Sequence, residues 1–138
     1  MTRSHRLRLA LALSVACVLP GCVTLPTPQE QAAAYYGDPI AQQDAERLAV
    51  AFLHSHLKDP DSAQYEWRPV QKSYLQDSMI AGGARHYGYV LGGAVNAKNS
   101  YGGYTGATAF FFVFLNGSIT SAMSEQQTSA GPMLLPVQ

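Results

Sequence analysis

The residues best suited to chemistry lie in one glycine-rich segment, residues 95–106, which reads V-N-A-K-N-S-Y-G-G-Y-T-G. Its three glycines permit backbone conformations with positive φ, and its asparagines favour tight turns, so we expect a compact loop. Such a loop exposes an ammonium group and two flat aromatic rings together, which suits a carbohydrate, a peptide or the edge of a protein. The candidate binding residues of this loop are Asn96, Lys98, Asn99, Tyr101, Tyr104 and Thr105.

The same residues are also compatible with a purely structural role. In that interpretation the segment is a turn between two strands that requires unusual backbone conformations. Its tyrosines pack at the border of the core, and its asparagines form hydrogen bonds with the backbone. Substitution of Lys98 and Tyr104 by alanine distinguishes the two hypotheses. A turn would lose thermal stability, whereas a binding loop would lose its partner and keep its fold.

Other reactive side chains form no recognisable catalytic or metal motif. Asp59 and Asp61 flank a proline in a turn, where carboxylates usually cap backbone amides. His54 and His56 are two residues apart on a helix, about 200° around its axis, so they cannot bind one metal ion together. A zinc site that includes the distant His86 is the one metal alternative. The phosphate and dinucleotide patterns are absent, and we predict no catalytic residue, no metal and no cofactor.

The first residues have the layout of a targeting signal. Arg3, Arg6 and Arg8 precede an apolar run of eleven residues, 9–19, and no acidic residue lies before this run. At about 1.5 Å per residue, a helix of that length reaches roughly 16 Å, about half of the ~30 Å hydrocarbon core of a bilayer. The arrangement is typical of a signal peptide and not of a permanent membrane span.

The end of this run resembles the lipobox of bacterial lipoprotein signal peptides. Leu19-Pro20-Gly21-Cys22 supplies the leucine, the small residue and the invariant cysteine of that family, although proline is not the commonest residue at its position. The resemblance implies cleavage after Gly21 and a lipid on Cys22, whose acyl chains hold the protein on the membrane. Val23 in place of aspartate resembles lipoproteins sent to the outer membrane of a Gram-negative cell. An ordinary signal peptide with a chance cysteine is the alternative.

The rest of the chain divides into three parts. The acylated cysteine and a segment rich in Pro, Thr, Gln and Ala form a predicted flexible tether over residues 22–39, of roughly 20 to 25 Å by coil statistics. An apolar stripe with three- and four-residue steps predicts one amphipathic helix over residues 40–57, which a following K-D-P sequence ends. The folded unit is predicted over residues 40–127. Residues 128–138 contain two prolines and are expected to be an irregular tail.

After the helix the sequence pattern changes to a period of two. Strands are predicted at residues 64–70, with a continuation over residues 72–75, and at residues 87–97, 108–115 and 118–123. Asn116-Gly117 predicts a two-residue hairpin between the last two strands. Gly92-Gly93 in the second strand predicts a bulge or a close packing contact. One helix followed by antiparallel strands predicts an α+β domain, in which the amphipathic helix packs on a small sheet of about four strands.

Two segments resemble motifs of a small domain that recurs in exported bacterial proteins. In that domain an L-K-D-P-x-S-A segment precedes a V-N-A-K-N-x-[FY]-G-G-Y-T-G segment and then an aromatic strand. Residues 57–63 and 95–106 match the two segments, and the likeness covers about residues 52–114. The domain has no assigned biochemical activity, so the resemblance implies membership without a mechanism.

The charge and the cysteine content of the mature chain exclude one class of partner and one kind of crosslink. The nine basic and nine acidic residues cancel over the whole chain, but three arginines leave with the signal peptide over residues 1–21. The mature chain keeps six basic and nine acidic residues, so its net charge is about −3. A negative net charge argues against nucleic acid as a partner. Cys17 leaves with the same peptide and Cys22 is acylated, so no thiol remains for a disulfide.

These observations predict a periplasm-facing outer-membrane lipoprotein that is a non-catalytic binding or accessory module of the cell envelope. Its lipid binds the membrane, and the expected partner is an envelope protein or the cell wall. One alternative is an inhibitor of lysozyme-type cell-wall hydrolases, which would present an exposed loop. Another is an enzyme that acts on peptidoglycan, in which Asp59 or Glu66 supplies an essential carboxylate.

Overall fold

A computed structural model describes residues 25–79 and 82–137. The predicted signal peptide over residues 1–21, the predicted acylation at Cys22 and Val23 lie outside the described residues. The helices are α1 (Pro28–Ala33) and α2 (Gln42–His54), and a 3₁₀ turn spans Pro60–Ser62. Among the described residues, no helix has the length and apolar character needed to cross a bilayer. The strands are β1 (Gln64–Trp67), β2 (Gln71–Gln76), β3 (Arg85–Asn96), β4 (Thr108–Leu115), β5 (Ser118–Thr128) and β6 (Gly131–Pro136).

The described strands form one antiparallel sheet in an α+β domain, as predicted. β3, β4, β5 and β6 follow one another as a meander, whereas β1 and β2 both pair with the other side of β3. The prediction of about four strands is wrong, because the described part of the sheet has six. The two additional strands carry weak signals: β2 lacks a clear apolar alternation, and β6 contains two prolines.

β1 and β2 are two parts of one edge strand. Trp67 opposes Gly93 and Gln71 opposes Val90, so four steps along the edge match three steps along β3. The extra residue forms a β-bulge beside Pro69. A proline is tolerated there because an edge bulge does not require its missing N–H group.

The first turn of helix α2 lies against this bulge and bonds two of its backbone groups. The side chain of Gln42, in the first turn of the helix, donates from Nε2 to the carbonyl of Arg68 (3.1 Å). Its Oε1 accepts a hydrogen bond from the N–H of Val70 (2.7 Å). One amide side chain thereby satisfies two backbone groups of the bulge and fixes the start of α2 against the edge of the sheet.

α2 buries its apolar stripe against one face of the sheet. The fully packed residues of this core are Ala45, Ala49, Leu53, Leu91, Val95, Phe110, Phe112 and Phe114. β4 supplies the three phenylalanines from alternate positions, as the period-two pattern requires, and burial of one such ring stabilises the fold by about 1.5–3 kcal/mol. The helix is shorter than the predicted span of residues 40–57, but Ile40 and Leu57 still pack against the core from outside it.

Two local predictions from glycine are confirmed. A Cβ atom on Gly93 would lie 2.3 Å from Cε3 of Trp67, so β1 approaches β3 more closely than any side chain at this position would allow. Asn116 and Gly117 have φ of 50° and 75°, as a two-residue hairpin turn with two left-handed residues requires.

Part of the segment predicted as a flexible tether is instead structured. Thr27 and Glu30 form a capping box: the N–H of Thr27 donates to Oε2 of Glu30 (2.7 Å), and the N–H of Glu30 donates to Oγ1 of Thr27 (3.2 Å). Further on, Tyr36 packs edge-to-face on Tyr87 of β3 with ring centroids 5.6 Å apart. The tether prediction is therefore corrected for residues 28–36, because capping and ring packing compensate for the polar composition.

The predicted irregular tail over residues 128–138 is also corrected. β5 continues to Thr128, and after a short turn β6 pairs with it in regular register, with Leu135 opposite Ser124. Two prolines made this segment resemble a loop, but both lie on an edge strand, where proline is compatible with pairing on one side. The domain therefore extends to Val137, whose N–H donates to the carbonyl of Ala122 (3.0 Å).

Candidate binding site

The two sequence motifs meet at Ser62 in the 3₁₀ turn. Its Oγ accepts a hydrogen bond from the N–H of Lys98 (3.0 Å) and donates one to the carbonyl of Asp59 (2.9 Å). The carbonyl of Ser62 accepts a hydrogen bond from the hydroxyl of Tyr104 (3.1 Å). We call residues 97–107, between β3 and β4, the anchored loop, since these contacts attach it to the 3₁₀ turn.

Asn99 organises the anchored loop from inside. Its Oδ1 accepts hydrogen bonds from the N–H groups of Tyr101 (2.9 Å) and Gly103 (3.2 Å). Lys98 and Tyr104 oppose each other as an isolated antiparallel bridge at the base of the loop. The side chain of Asn99 is thus committed to the turn, which is the role that the structural interpretation of the motif assigns to it.

Other predicted residues of the anchored loop leave their functional groups exposed. Tyr101 is 97% exposed, and Tyr104 is 46% exposed although its hydroxyl is bonded. Nζ of Lys98 lies 5.5 Å from the ring centroid of Tyr104, and Thr105 is exposed beside it. The loop therefore combines a fixed backbone with an ammonium group, a hydroxyl and two accessible rings.

Asn96 is separate from these residues. It ends β3 opposite Gln64, and its Oδ1 is buried with no hydrogen-bond partner among the described residues. Asn96 lines a cavity of about 310 Å³ with Gln64, Glu66 and Ala94, on the sheet face away from α2. The structure does not bring Asn96 together with Lys98 and the rest of the predicted site.

Sequence reasoning missed a groove that runs past the C-terminal end of α2. One part, of about 230 Å³, borders the anchored loop, and the other, of about 560 Å³, lies between α2 and strands β5 and β6. Both parts are lined by His56, Leu57 and Phe110, so they are adjacent, and we refer to them together as the groove. The loop side is lined by Lys58, Lys98, Asn99 and Thr105, and the strand side by Leu53, Ser124, Gln126, Leu135 and Val137. No spacing pattern could reveal this groove, because its residues come from several separate elements.

His56 has a defined orientation at the centre of the groove. Its Nδ1 lies 2.7 Å from the carbonyl of Phe52, and its ring stacks on the Phe52 ring with centroids 4.0 Å apart. A carbonyl oxygen only accepts hydrogen bonds, so Nδ1 must carry the proton. In the neutral imidazole, Nε2 then holds the lone pair and is the nitrogen left to accept a hydrogen bond from a ligand.

The other two histidines of the described residues, His54 and His86, lie beside aspartates. Nε2 of His54 lies 3.3 Å from Oδ1 of Asp61, and Nε2 of His86 lies 3.0 Å from Oδ1 of Asp77. The three histidines that the sequence suggested as an alternative zinc site therefore have separate partners. In residues 25–79 and 82–137, no group of three His, Cys, Asp or Glu side chains has the arrangement of a metal site.

The side chains that line the groove differ from those that the glycosidase alternative requires. Asp59 and Glu66 are not among the residues that line it, and the lining side chains in the described part of the chain include no carboxylate. Hydrolysis of a glycosidic bond by the usual mechanism requires two carboxyl groups that face each other across the sugar. Apolar walls, an oriented imidazole and two lysines instead suit recognition of a ligand.

In comparisons with known proteins, no protein-family model, curated protein or solved structure matches the chain. The groove and the anchored loop therefore have to be interpreted from their own residues. Those residues provide an apolar surface next to polar groups whose positions are fixed by the fold.

Proposed function

We propose that this protein is an outer-membrane lipoprotein of a Gram-negative cell, acylated at Cys22 and facing the periplasm. Its α+β domain is a non-catalytic binding module whose partner is an envelope protein or the cell wall. The lipobox-like sequence after a short apolar run supports the anchoring, and the mildly acidic mature chain argues against nucleic acid.

The observation that carries the binding role is the groove bordered by the anchored loop. Hydrogen bonds at Ser62 and Asn99 hold the loop in shape before a partner arrives, which reduces the entropy lost on binding. Leu57 and Phe110 supply apolar area in the groove, and His56 and Lys98 add a hydrogen-bond acceptor and a charge. The groove lining without carboxylates favours binding over hydrolysis.

Site-specific crosslinking tests the binding role. A photoreactive tyrosine analogue replaces Tyr101 in the full chain expressed in Gram-negative cells, and captured species are identified by mass spectrometry. Tyr35 is the matched control, because it is also exposed (68%) but lies on the N-terminal segment, away from the groove. We expect a defined envelope component at Tyr101 and not at Tyr35. Capture of the same species at both positions, or of nothing at Tyr101, contradicts the proposal.

Metabolic labelling with a palmitate analogue tests the anchor separately. The full chain should become labelled and fractionate with the outer membrane, and Cys22→Ala should abolish both properties. A chain without label, or one whose labelling survives Cys22→Ala, would exclude the lipoprotein assignment and leave the binding test unaffected.

One observation favours a second candidate, an inhibitor of lysozyme-type hydrolases. Tyr101 protrudes from a loop whose base is fixed, and a rigid aromatic side chain of this kind can fill the cleft of an enzyme. The full chain should then inhibit lysozyme in a cell-wall clearance assay, and Tyr101→Ala should remove the inhibition while Tyr35→Ala retains it. Absence of inhibition by the unmodified chain excludes this candidate.

A further inference from the structure

The β6 edge of the sheet is blocked against the addition of another strand. The N–H of Val137 donates to the carbonyl of Ala122, in register with the β5–β6 pairs, so every second residue back from Val137 faces β5. The residues between them, Pro132, Leu134 and Pro136, direct their backbone groups outward. Because proline has no N–H, Leu134 offers the one outward donor among residues 131–137. Proline at outward positions is a known protection of sheet edges.

The opposite edge is protected at the bulge by the side chain of Gln42, but β2 beside it has no such protection. The N–H of Asp77 donates to the carbonyl of Ala84 (2.8 Å), in register with the β2–β3 pairs, so every second residue back from Asp77 faces β3. The outward backbone groups of β2 belong to Lys72, Tyr74 and Gln76. In the described part of the chain, β2 pairs with β3 alone. Among the described residues, the three outward N–H groups and three outward carbonyls of β2 therefore have no backbone partner.

We propose that β2 pairs with β2 of a second copy of this chain, antiparallel and with the twofold axis at Tyr74. In this register Tyr74 opposes Tyr74 of the second copy, and Lys72 opposes Gln76. Outward residues must oppose outward residues to form hydrogen bonds, and this register pairs all three of them, for about six bonds. The two sheets become one continuous sheet across the axis.

The side chains of β2 are self-complementary in this register. Lys72 faces an amide and not another ammonium group, whereas a twofold axis at Lys72 would place two like charges opposite each other. Tyr74 already packs on Tyr87 with ring centroids 5.5 Å apart, and Tyr87 packs on Tyr36. Pairing at Tyr74 joins two such aromatic clusters across the axis. An unrelated extended segment would need its own complementary sequence, which a second copy already has.

Disulfide trapping in the full chain tests the register. Cα atoms of a hydrogen-bonded antiparallel pair are about 5.5 Å apart, so Tyr74→Cys should form an intermolecular disulfide. Gln76→Cys is the matched control, because four residues of offset separate its two copies by about 13 Å. The unmodified chain sets the background from its native cysteines. We expect severalfold more dimer from Tyr74→Cys than from Gln76→Cys. The double variant Lys72→Cys with Gln76→Cys should also form dimers, which protects the test against a folding defect at position 74.

Several outcomes would overturn the proposal. The first is equal amounts of disulfide-linked dimer from Tyr74→Cys and Gln76→Cys. The second is that neither Tyr74→Cys nor the double variant forms dimer above background. The third is that the introduced cysteines crosslink to other proteins and not to a second copy of the chain. A second measurement uses proline to remove one outward N–H from each edge. Sedimentation of the detergent-solubilised full chain should show loss of association in Tyr74→Pro and not in Leu134→Pro. An equal effect of both substitutions would contradict pairing through β2.

Discussion

Two regions of the molecule place a lysine ammonium near a tyrosine ring, but in different surroundings. In the packed pair, Nζ of Lys72 lies 4.3 Å from the ring centroid of Tyr36, which also packs edge-to-face on Tyr87. In the loop pair, Nζ of Lys98 lies 5.5 Å from the ring centroid of Tyr104, whose hydroxyl donates to the backbone of the 3₁₀ turn.

The difference lies in the contact that each tyrosine makes besides the lysine. Tyr36 packs its ring on another ring, whereas Tyr104 uses its hydroxyl in a hydrogen bond. In the packed pair, the ring of Tyr87 and the ammonium group of Lys72 both contact the ring of Tyr36, so the pair holds the N-terminal segment on the sheet. In the loop pair, the anchor acts through the hydroxyl of Tyr104 and leaves much of its ring accessible. The same two residue types therefore stabilise one region and stay accessible to solvent in the other.

The largest loss of stability is expected from a substitution that disturbs the attachment of the anchored loop. Gly93→Ala places a Cβ atom against the ring of Trp67 and should lower the free energy of unfolding by about 3 kcal/mol, because β1 must move away from β3. β1 begins just after the 3₁₀ turn, so the anchor of the loop moves with it. Gly103→Ala is the control, since its nearest contact would be 3.9 Å away at Asn99. Equal denaturation midpoints for the two variants would contradict this account.

The next effect compares the two regions directly. Tyr87→Ala removes the ring that contacts both Tyr36 and Tyr74 and should cost about 2 kcal/mol. Tyr104→Ala removes one exposed ring and one hydrogen bond and should cost about 1 kcal/mol. Chemical denaturation of both variants measures the difference. A larger loss from Tyr104→Ala would make the anchored loop the more structural of the two regions.

Neutralising the lysines should give a smaller and more informative result. Lys72→Met should lower stability by about 0.5 kcal/mol, because the ammonium lies close to a packed ring. Lys98→Met should leave the thermal midpoint nearly unchanged and instead reduce crosslinking of a partner at Tyr101. If Lys98→Met changed stability and left capture unchanged, the loop pair would have the same role as the packed pair.

The smallest expected effect is a dependence of folding stability on alkaline pH, and it comes from Tyr65 of β1. Burial raises the pKa of Tyr65 above its ordinary value of 10.0, and the carboxylate of Asp61 raises it further. The unfolded chain therefore ionises first, so the stability contributed by neutral Tyr65 is present below about pH 10 and is lost as pH rises above it. Tyr65→Phe should flatten the alkaline part of the stability curve, measured by urea denaturation between pH 8 and about pH 11. An unchanged slope would exclude Tyr65 as its source.

Periodic patterns predicted the elements that define the core. The three- and four-residue steps around Leu53 identified α2, the apolar run with four phenylalanines identified β4, and Asn116-Gly117 identified the hairpin. These elements were predictable because each buries a face whose period matches its backbone geometry. Gly93 was also informative, since a glycine inside a strand indicates close packing.

Elements without such a pattern could not be predicted in the same way. β6 depends on pairing with β5, and its prolines resemble those of a loop until their outward positions are known. α1 did carry a signal, because Thr27 and Glu30 have the spacing of a capping box, but the surrounding polar composition obscured it. The groove required tertiary structure, since His56, Ser124 and Val137 are far apart in sequence and meet only in the fold.

The sequence distance between the loop and its anchor has a consequence for the order of folding. The meander from β3 to β6 joins neighbouring strands in chain order, through two-residue turns after β4 and β5 and the anchored loop between β3 and β4, and such local pairing is fast. Ser62 and Tyr104 are separated by 42 residues, and their hydrogen bond requires β1 and the 3₁₀ turn to dock on a meander that already exists. We therefore expect the anchored loop to reach its final shape last. A chain arrested before that step would contain most of its sheet and would still lack the fixed shape of the anchored loop.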